Sequence, residues 1–246
     1  MTRPVVARSL SLSVACMNIP TKVGPAKWRT CFNKLAAAGD VISINEAGSL
    51  KAKRLYNRLK NQHHMSQFGL FRGPNPIFWD VRKFAKVSAK QIRLHARGTG
   101  ALARRFPGFN GARFMTVVVL QPLDAEGHRL GPEVAFLNWH FVAPGPKVPA
   151  AWRARKRRQS EAKVRAERAK HIAAGRIVVG NGDANEDAFD LADADWWIHD
   201  DGPDLMFVAV PAGVEVTHVL PGLIPAPTDH KRGKRADLTF TIGATR

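Results

Sequence analysis

Cys16 and Cys31 are the only cysteines in this 246-residue chain. Two thiols are too few for a disulfide framework or a thiolate metal site, which fits a reducing compartment; a cytoplasmic location is the expectation. No apolar run approaches the ~18 residues of a membrane-spanning helix. Ser9 to Ala15 alternates serine with leucine and valine instead of forming the solid apolar block of a secretory leader, so no membrane partner is expected. Tandem repeats, low-complexity blocks and Pro/Gly-rich linkers are also missing, so residues 1–246 are expected to form one domain, acting as a monomer. Acids are scarce: 20 Asp and Glu face 38 Lys and Arg, for a net charge of +18. Hydrophobic residues, at 45%, still suffice to close a sizeable core, which excludes a disordered chain.

The few acids are unevenly placed. Residues 177–229 hold 11 of them and no Lys or Arg, so the remainder sets 38 bases against nine acids, a net of +29. That excess is well beyond the ~2–8 charges that keep a small domain soluble. It points to a polyanionic partner gripped by the body of the chain and to cations held by the acidic stretch.

Short strand patterns recur along the chain. Leu10, Leu12, Val14 and Cys16 alternate over Ser9–Met17, which predicts a first strand ending at Asn18. Trp28, Cys31, Phe32 and Leu35 fall at helical spacing after Pro25, and a second helix is expected over Leu50–Asn61. Val41–Ile44, Ile77–Trp79, Val87–Leu94, Phe114–Leu120, Val134–His140, Ile177–Val179, Leu205–Val210, Val214–Val219 and Leu238–Ile242 read as further strands. Between Pro149 and Ala174 a charged helix is expected, with Ala162, Ala166, Ala169 and Ile172/Ala173 as its apolar stripe. Many strands with few helices predict an α/β protein, a four-layer sandwich of two mostly antiparallel sheets packed face to face with helices outside.

Polar residues cluster where these strands end. Glu46 follows Val41–Asn45, His140 closes Phe136-Leu-Asn-Trp-His, Asp183 and Asn185 follow Ile177-Val-Val-Gly-Asn-Gly, and Asp229-His230 precede the last strand. Carboxylates and an amide at several strand mouths make an oxygen-lined site suited to a hard divalent cation.

In chain order these features form a pattern: an Asn after the first strand, a Glu after a strand about 28 residues on, Asn138-x-His140, Gly182-Asp183-x-Asn185, the strand Asp204-Leu-x-Phe-Val208 and Thr228-Asp229-His230. The pattern resembles the endonuclease/exonuclease/phosphatase superfamily over residues 10–242. The resemblance implies that Glu46 is the principal Mg²⁺ ligand (Mn²⁺ being an alternative ion), with Asn18 and Asp229 close to the metal or its waters. It implies that Asp183 positions and deprotonates the attacking water and that Asn185 holds a phosphate oxygen. His140, and His230 oriented by Asp204, would bind the phosphate. Asn45 stands where the family usually has Gln, and Ala184 replaces a common aromatic. The stretch Arg72–Asp80, where nuclease members place an acid that orients the first histidine, has only Asp80.

The resulting expectation is a divalent-metal-dependent phosphodiesterase acting on nucleic acid, foremost a DNA endonuclease with little sequence preference. The alternatives are a phosphatase or phospholipase of the same fold, acting on inositol phosphates or lipid head groups, and a non-catalytic nucleic-acid binder. Two basic segments are candidate nucleic-acid contacts. One contains Arg153, Arg155, Lys156, Arg157 and Arg158; the other, with Arg97, Arg104, Arg105 and Arg113, interleaves bases with Phe106 and Phe109.

Overall fold

A computed structural model describes residues 8–20, 22–71, 74–96, 112–141, 149–185, 196–199, 204–225 and 232–243. The elements run β1 (Arg8–Asn18), α1 (Pro25–Ala38), β2 (Val41–Asn45), α2 (Leu50–Gln62), β3 (Met65–Phe68), β4 (Ile77–Asp80), β5 (Phe84–His95), β6 (Arg113–Pro122) and β7 (Val134–His140). They continue with α3 (Ala150–Ala173), β8 (Ile177–Asp183), β9 (Trp196–His199), β10 (Asp204–Ala209), β11 (Val214–Pro225) and β12 (Arg232–Ile242). Two six-stranded sheets result, ordered β11-β12-β1-β2-β4-β3 and β5-β6-β7-β8-β10-β9. Each sheet has one parallel pair, β1/β2 and β7/β8, and is otherwise antiparallel. Among the described residues no helix is long and apolar enough to cross a membrane.

The layers follow from which residues alternate. Leu10, Leu12, Val14 and Cys16 of β1 meet Val134 and Phe136 of β7 and Ile177 and Val179 of β8 between the sheets. On the outer face of the first sheet, Ala15, Met17, Ile42, Ile44 and Phe78 are covered by Trp28, Phe32 and Leu35 of α1 and Leu55, Tyr56 and Leu59 of α2. Pro25 in the first turn starts α1, and Ser49 caps α2 by accepting from Ala52 N at 3.1 Å. On the far side, Val117, Leu137, Trp139, Val178 and Phe207 pack with Val164 of α3. The expected four-layer sandwich is what forms.

One expectation is corrected. Of the expected stripe Ile172 packs against the core, but Ala162, Ala166, Ala169 and Ala173 face solvent, and α3 docks mainly through Ser160, Val164, Glu167, Arg168 and His171. The second sheet presents Lys90 to this helix, and Glu167 binds it at 2.5 Å while also accepting from His171 Nε2 at 3.0 Å. Paired charges thus replace an apolar stripe. Two short strands, β3 and β9, escaped the sequence pattern.

Both parallel pairs are joined by a crossover helix, α1 between β1 and β2 and α3 between β7 and β8. The C-terminal ends of β1, β2, β7 and β8, and the N-termini of all three helices, therefore gather at one end of the sandwich.

Candidate active site

At that end the inward face of each strand changes from apolar to polar at its last one or two positions. The period of two that places Val14 and Cys16 between the sheets also places Asn18 there; Val41 is followed by Ser43 and Asn45, Phe136 by Asn138 and His140, and Val179 by Asn181 and Asp183. These side chains hydrogen-bond across the sheets. Asn181 Nδ2 donates to Ser43 Oγ at 2.6 Å, and Asn138 Nδ2 donates to the carbonyls of Ile44 at 3.2 Å and Pro76 at 3.1 Å. The Asn45 amide, oriented with its nitrogen toward Asn138, donates to Asn138 Oδ1 at 2.7 Å and accepts from Asp183 N at 3.1 Å.

Glu46, His140 and Asp183 converge on this polar layer, with one ligand atom from each within 4.8 Å of the others. His140 Nε2 lies 3.6 Å from Asp183 Oδ2 and 3.9 Å from Glu46 Oε1. Asp183 is 1% exposed and held on both oxygens: Asn18 Nδ2 donates to Oδ2 and Asn185 N to Oδ1, each at 2.8 Å. Asn185 commits one amide proton to the Phe141 carbonyl at 3.1 Å. Glu46 and Asn185 adopt positive φ, 63° and 57°, which makes them two of the three non-glycine residues that do so among the described residues. Asn tolerates this left-handed region, whereas for Glu it stores ~1 kcal/mol or more of strain, a common mark of a functional position.

The donor set suits a hard divalent cation. Glu46 and Asp183 bring two carboxylates into one small space, and Asn18 Oδ1 is a buried acceptor with no hydrogen-bond partner among the described residues. Thiol chemistry does not enter: burial, reinforced by the Asp204 charge, pushes the adjacent Cys16 thiol up to about 12.

Two basic side chains that sequence reasoning did not assign to this end stand beside it. Arg113, at the start of β6, is half-buried; burial pulls its pKa down while the Glu46 and Asp183 charges pull it back up. Lys234 on β12 is 4% exposed and donates to the main-chain oxygen of Asp204. With Cys16, Asn18, Asn45, Gly182 and Asp204, Lys234 lines a cavity of about 10 Å³ below the site, room for one water. The same alternation that marks Asn18 as inward-facing marks Lys234, two residues before the core position Ala236, and was the available signal.

Asn18, Glu46, His140, Asp183 and Asn185 thus come together, and Asp204 lies opposite Asp183 in the β8/β10 register. Asp229, His230, Arg104 and Arg105 lie outside the described residues, as do Arg97, Phe106 and Phe109. Asp80 sits at the far end of β4, where it binds Arg82 at 2.6 Å. Asn75, in the segment nearest the site, donates instead to the Phe114 carbonyl at 2.9 Å. On α3, Arg155 and Arg158 are exposed, whereas Arg153, Lys156 and Arg157 are half-buried. Arg157 pairs with Glu161 at 2.7 Å, and Lys156 Nζ lies 5.8 Å from the Trp152 ring centre.

No family model matches the chain, and no curated protein does. Solved structures match over nearly its whole length. An endonuclease/exonuclease/phosphatase family protein from Bacteroides thetaiotaomicron aligns at 16% identity and TM-score 0.61, covering 94% of this chain and 98% of the other. D. rerio TDP2 complexed with single-strand DNA product aligns at 14% identity and TM-score 0.63, with 94% and 98% covered. ANGEL2, a 2',3'-cyclic phosphatase in complex with adenosine-2',3'-vanadate, aligns at 11% identity and TM-score 0.59, with 96% and 97% covered. The chain has the endonuclease/exonuclease/phosphatase fold.

Proposed function

We propose that this protein is a divalent-metal-dependent phosphoesterase that hydrolyses phosphodiesters of a nucleic-acid backbone, DNA first among them, with little sequence preference. The observation that carries the reading is the convergence of Glu46, His140 and Asp183 from three strand ends in two sheets. The net of +29 outside residues 177–229 supports a polyanionic substrate, and fold neighbours act on or are bound to nucleotide phosphates by their descriptions.

Glu46, Asp183 and the free Asn18 Oδ1, joined by Asp229, would hold Mg²⁺ or Mn²⁺, which when bound neutralises phosphate charge and polarises the phosphorus centre. Asn18 and Asn185 N fix the Asp183 carboxylate as an acceptor, so it can orient a water and take its proton. His140 Nε2, between the two carboxylates, can donate to a non-bridging phosphate oxygen, as can the remaining amide proton of Asn185. Arg113 adds fixed positive charge on the same side. His230, oriented by Asp204, completes the phosphate clamp. The exposed Arg155 and Arg158 of α3, with Arg104 and Arg105, contact the flanking backbone.

Supercoiled plasmid and a labelled oligonucleotide tested with Mg²⁺, Mn²⁺ or chelator decide the matter, alongside Glu46→Gln and Asp183→Asn, which preserve side-chain shape. The expected result is metal-dependent cleavage that falls at least ~10³-fold in both variants while their metal-free melting temperatures stay near that of the metal-free parent. Phosphate release from inositol phosphates without strand cleavage would replace the substrate assignment, and binding without turnover would replace the catalytic one.

A further inference from the structure

A second basic surface lies outside the site. α1 and α2, side by side on the outer face of the first sheet, carry Lys27, Arg29, Lys34, Lys51, Lys53, Arg54, Arg58 and Lys60 and no acid at all. From Ala47 to Trp79 the chain has six bases and no Asp or Glu. Between the two helices runs a groove of about 240 Å³ lined by Arg29, Leu55, Arg58, Leu59 and Gln62. Arg29 and Arg58 are exposed, and neither makes an ion pair or hydrogen bond with any described residue. Basic helix faces on folded proteins are commonly laced with i,i+4 acids; these are not.

The placement relates the groove to the catalytic end. α1 begins seven residues after Asn18 and α2 four residues after Glu46, so both start beside the site and run away from it. At ~1.5 Å rise per residue, Leu55 lies about 8 Å and Gln62 about 18 Å along α2 from its start. A nucleic-acid strand carries one charge per ~3.4 Å of helix axis, so the groove spans two to three phosphates of a strand leaving the site.

We infer that the α1/α2 groove is a backbone-binding site for a nucleic-acid strand, with Arg29 and Arg58 each taking a phosphate. The identity of the polyanion rests on the nucleic-acid reading above. An anionic membrane fits the surface less well. α1 exposes no large apolar side chain; Leu50 in the first turn of α2 and Phe71, whose carbonyl accepts from Lys53, are the exposed large apolar residues nearby, and neither lines the groove. Amides such as Asn33, Asn57 and Gln62 interleave the bases, a composition suited to phosphate and sugar oxygens.

The test uses the full chain and a fluorescein-labelled 20-nucleotide single strand, titrated in chelator from low to moderate salt. Arg29→Gln/Arg58→Gln is expected to weaken binding about tenfold and to lower the slope of log Kd against log salt by about 1.5. Arg29→Lys/Arg58→Lys is expected to restore the slope, and hydrolysis of bis(4-nitrophenyl) phosphate, too small to reach the groove, is expected to stay at the parent rate. An unchanged slope in the Gln variant, with its melting curve intact, overturns the inference. So does loss of sedimentation with phosphatidylserine vesicles in that variant while strand binding is unaffected. If the parent cleaves no phosphodiester yet the slope still drops, the groove stands and the hydrolase reading falls.

Discussion

Asn138 shows how much rests on single polar residues at this end of the sandwich. It is fully buried, and its amide satisfies three groups at once: the carbonyls of Ile44 and Pro76 and the Asn45 amide. Ile44 leads into Glu46, and Asn45 in turn accepts from the Asp183 main chain, so one side chain ties the two carboxylate-bearing segments together. Asn138→Leu keeps the volume but takes a buried donor from the Ile44 and Pro76 carbonyls and the acceptor from the Asn45 amide, leaving Pro76 O only its bond from Ile44 N and the Asn45 amide only the Trp139 carbonyl. The expected cost is about 3 kcal/mol of stability, measured by denaturant unfolding. Turnover should also fall, since Glu46 and Asp183 lose their common anchor. A loss below ~1 kcal/mol would mean that water replaces the amide and that the link is dispensable.

Elements were legible where apolar alternation was strong. β1, β2, β7 and β8 could be read because their inward residues are Leu, Val, Ile or Phe up to the point where polar residues take over. The polar ends stood out for that reason, and Asn18, Glu46, His140, Asp183 and Asn185 could be named before their distances were known. What the sequence hid was pairing by charge. α3 offers alanines at helical spacing, yet it docks through Glu167, Arg168 and His171, because the facing sheet supplies Lys90 and the following loop supplies Arg176, 3.3 Å from His171 Nδ1. Lys234 was not singled out, and Arg113 was named only as part of a basic patch and not as a neighbour of the carboxylates, since a basic residue in a basic chain carries little signal.

The docking of α3 has a pH consequence. Burial pushes the His171 imidazole below its ordinary 6.5; Glu167 pulls it up, and Arg176 and Lys90 push it down. Burial also lowers His95, at the end of β5 against Trp152. Both histidines are harder to protonate in the fold than in the unfolded chain, so as pH falls through about 6.5 the unfolded state takes up protons first and stability drops. For Glu167, burial acts to raise the pKa, but the Lys90 hydrogen bond and charge outweigh it and leave the carboxyl below its usual value. Its contribution is present above the ordinary glutamate range and is lost as pH falls through the depressed value, in the same direction. Melting temperature is therefore expected to decline from pH 7 to 5, and His171→Gln, which can still donate to Glu167, is expected to flatten the upper part of that decline. Parallel curves for parent and variant would remove His171 from the account.

At the scale of the molecule, the two sheets meet at the end that carries Glu46, His140 and Asp183 through polar contacts, whereas an apolar core joins them elsewhere. Basic helices cover both outer faces, around a centre whose own side chains include carboxylates. Those carboxylates repel one another, and a cation held between them would relieve the repulsion. Glu46 follows a strand of the first sheet and Asp183 ends one of the second, so a cation shared by the two carboxylates would crosslink the halves of the fold and bind the native state alone. Linkage then fixes the size of the effect: at a hundredfold excess over Kd, a native-state ligand adds about 2.7 kcal/mol, which for a chain of this length raises the melting temperature by roughly 5–10 °C. Mg²⁺ or Mn²⁺ should produce that rise without any nucleic acid present, chelator should reverse it, and Glu46→Gln should abolish most of it. The variant also loses one of two clustered negative charges, so its metal-free melting temperature is expected to equal or exceed that of the metal-free parent. A parent that melts identically with and without divalent ions, or a Glu46→Gln variant that keeps the full rise, would place the cation elsewhere and detach Glu46 from the chemistry.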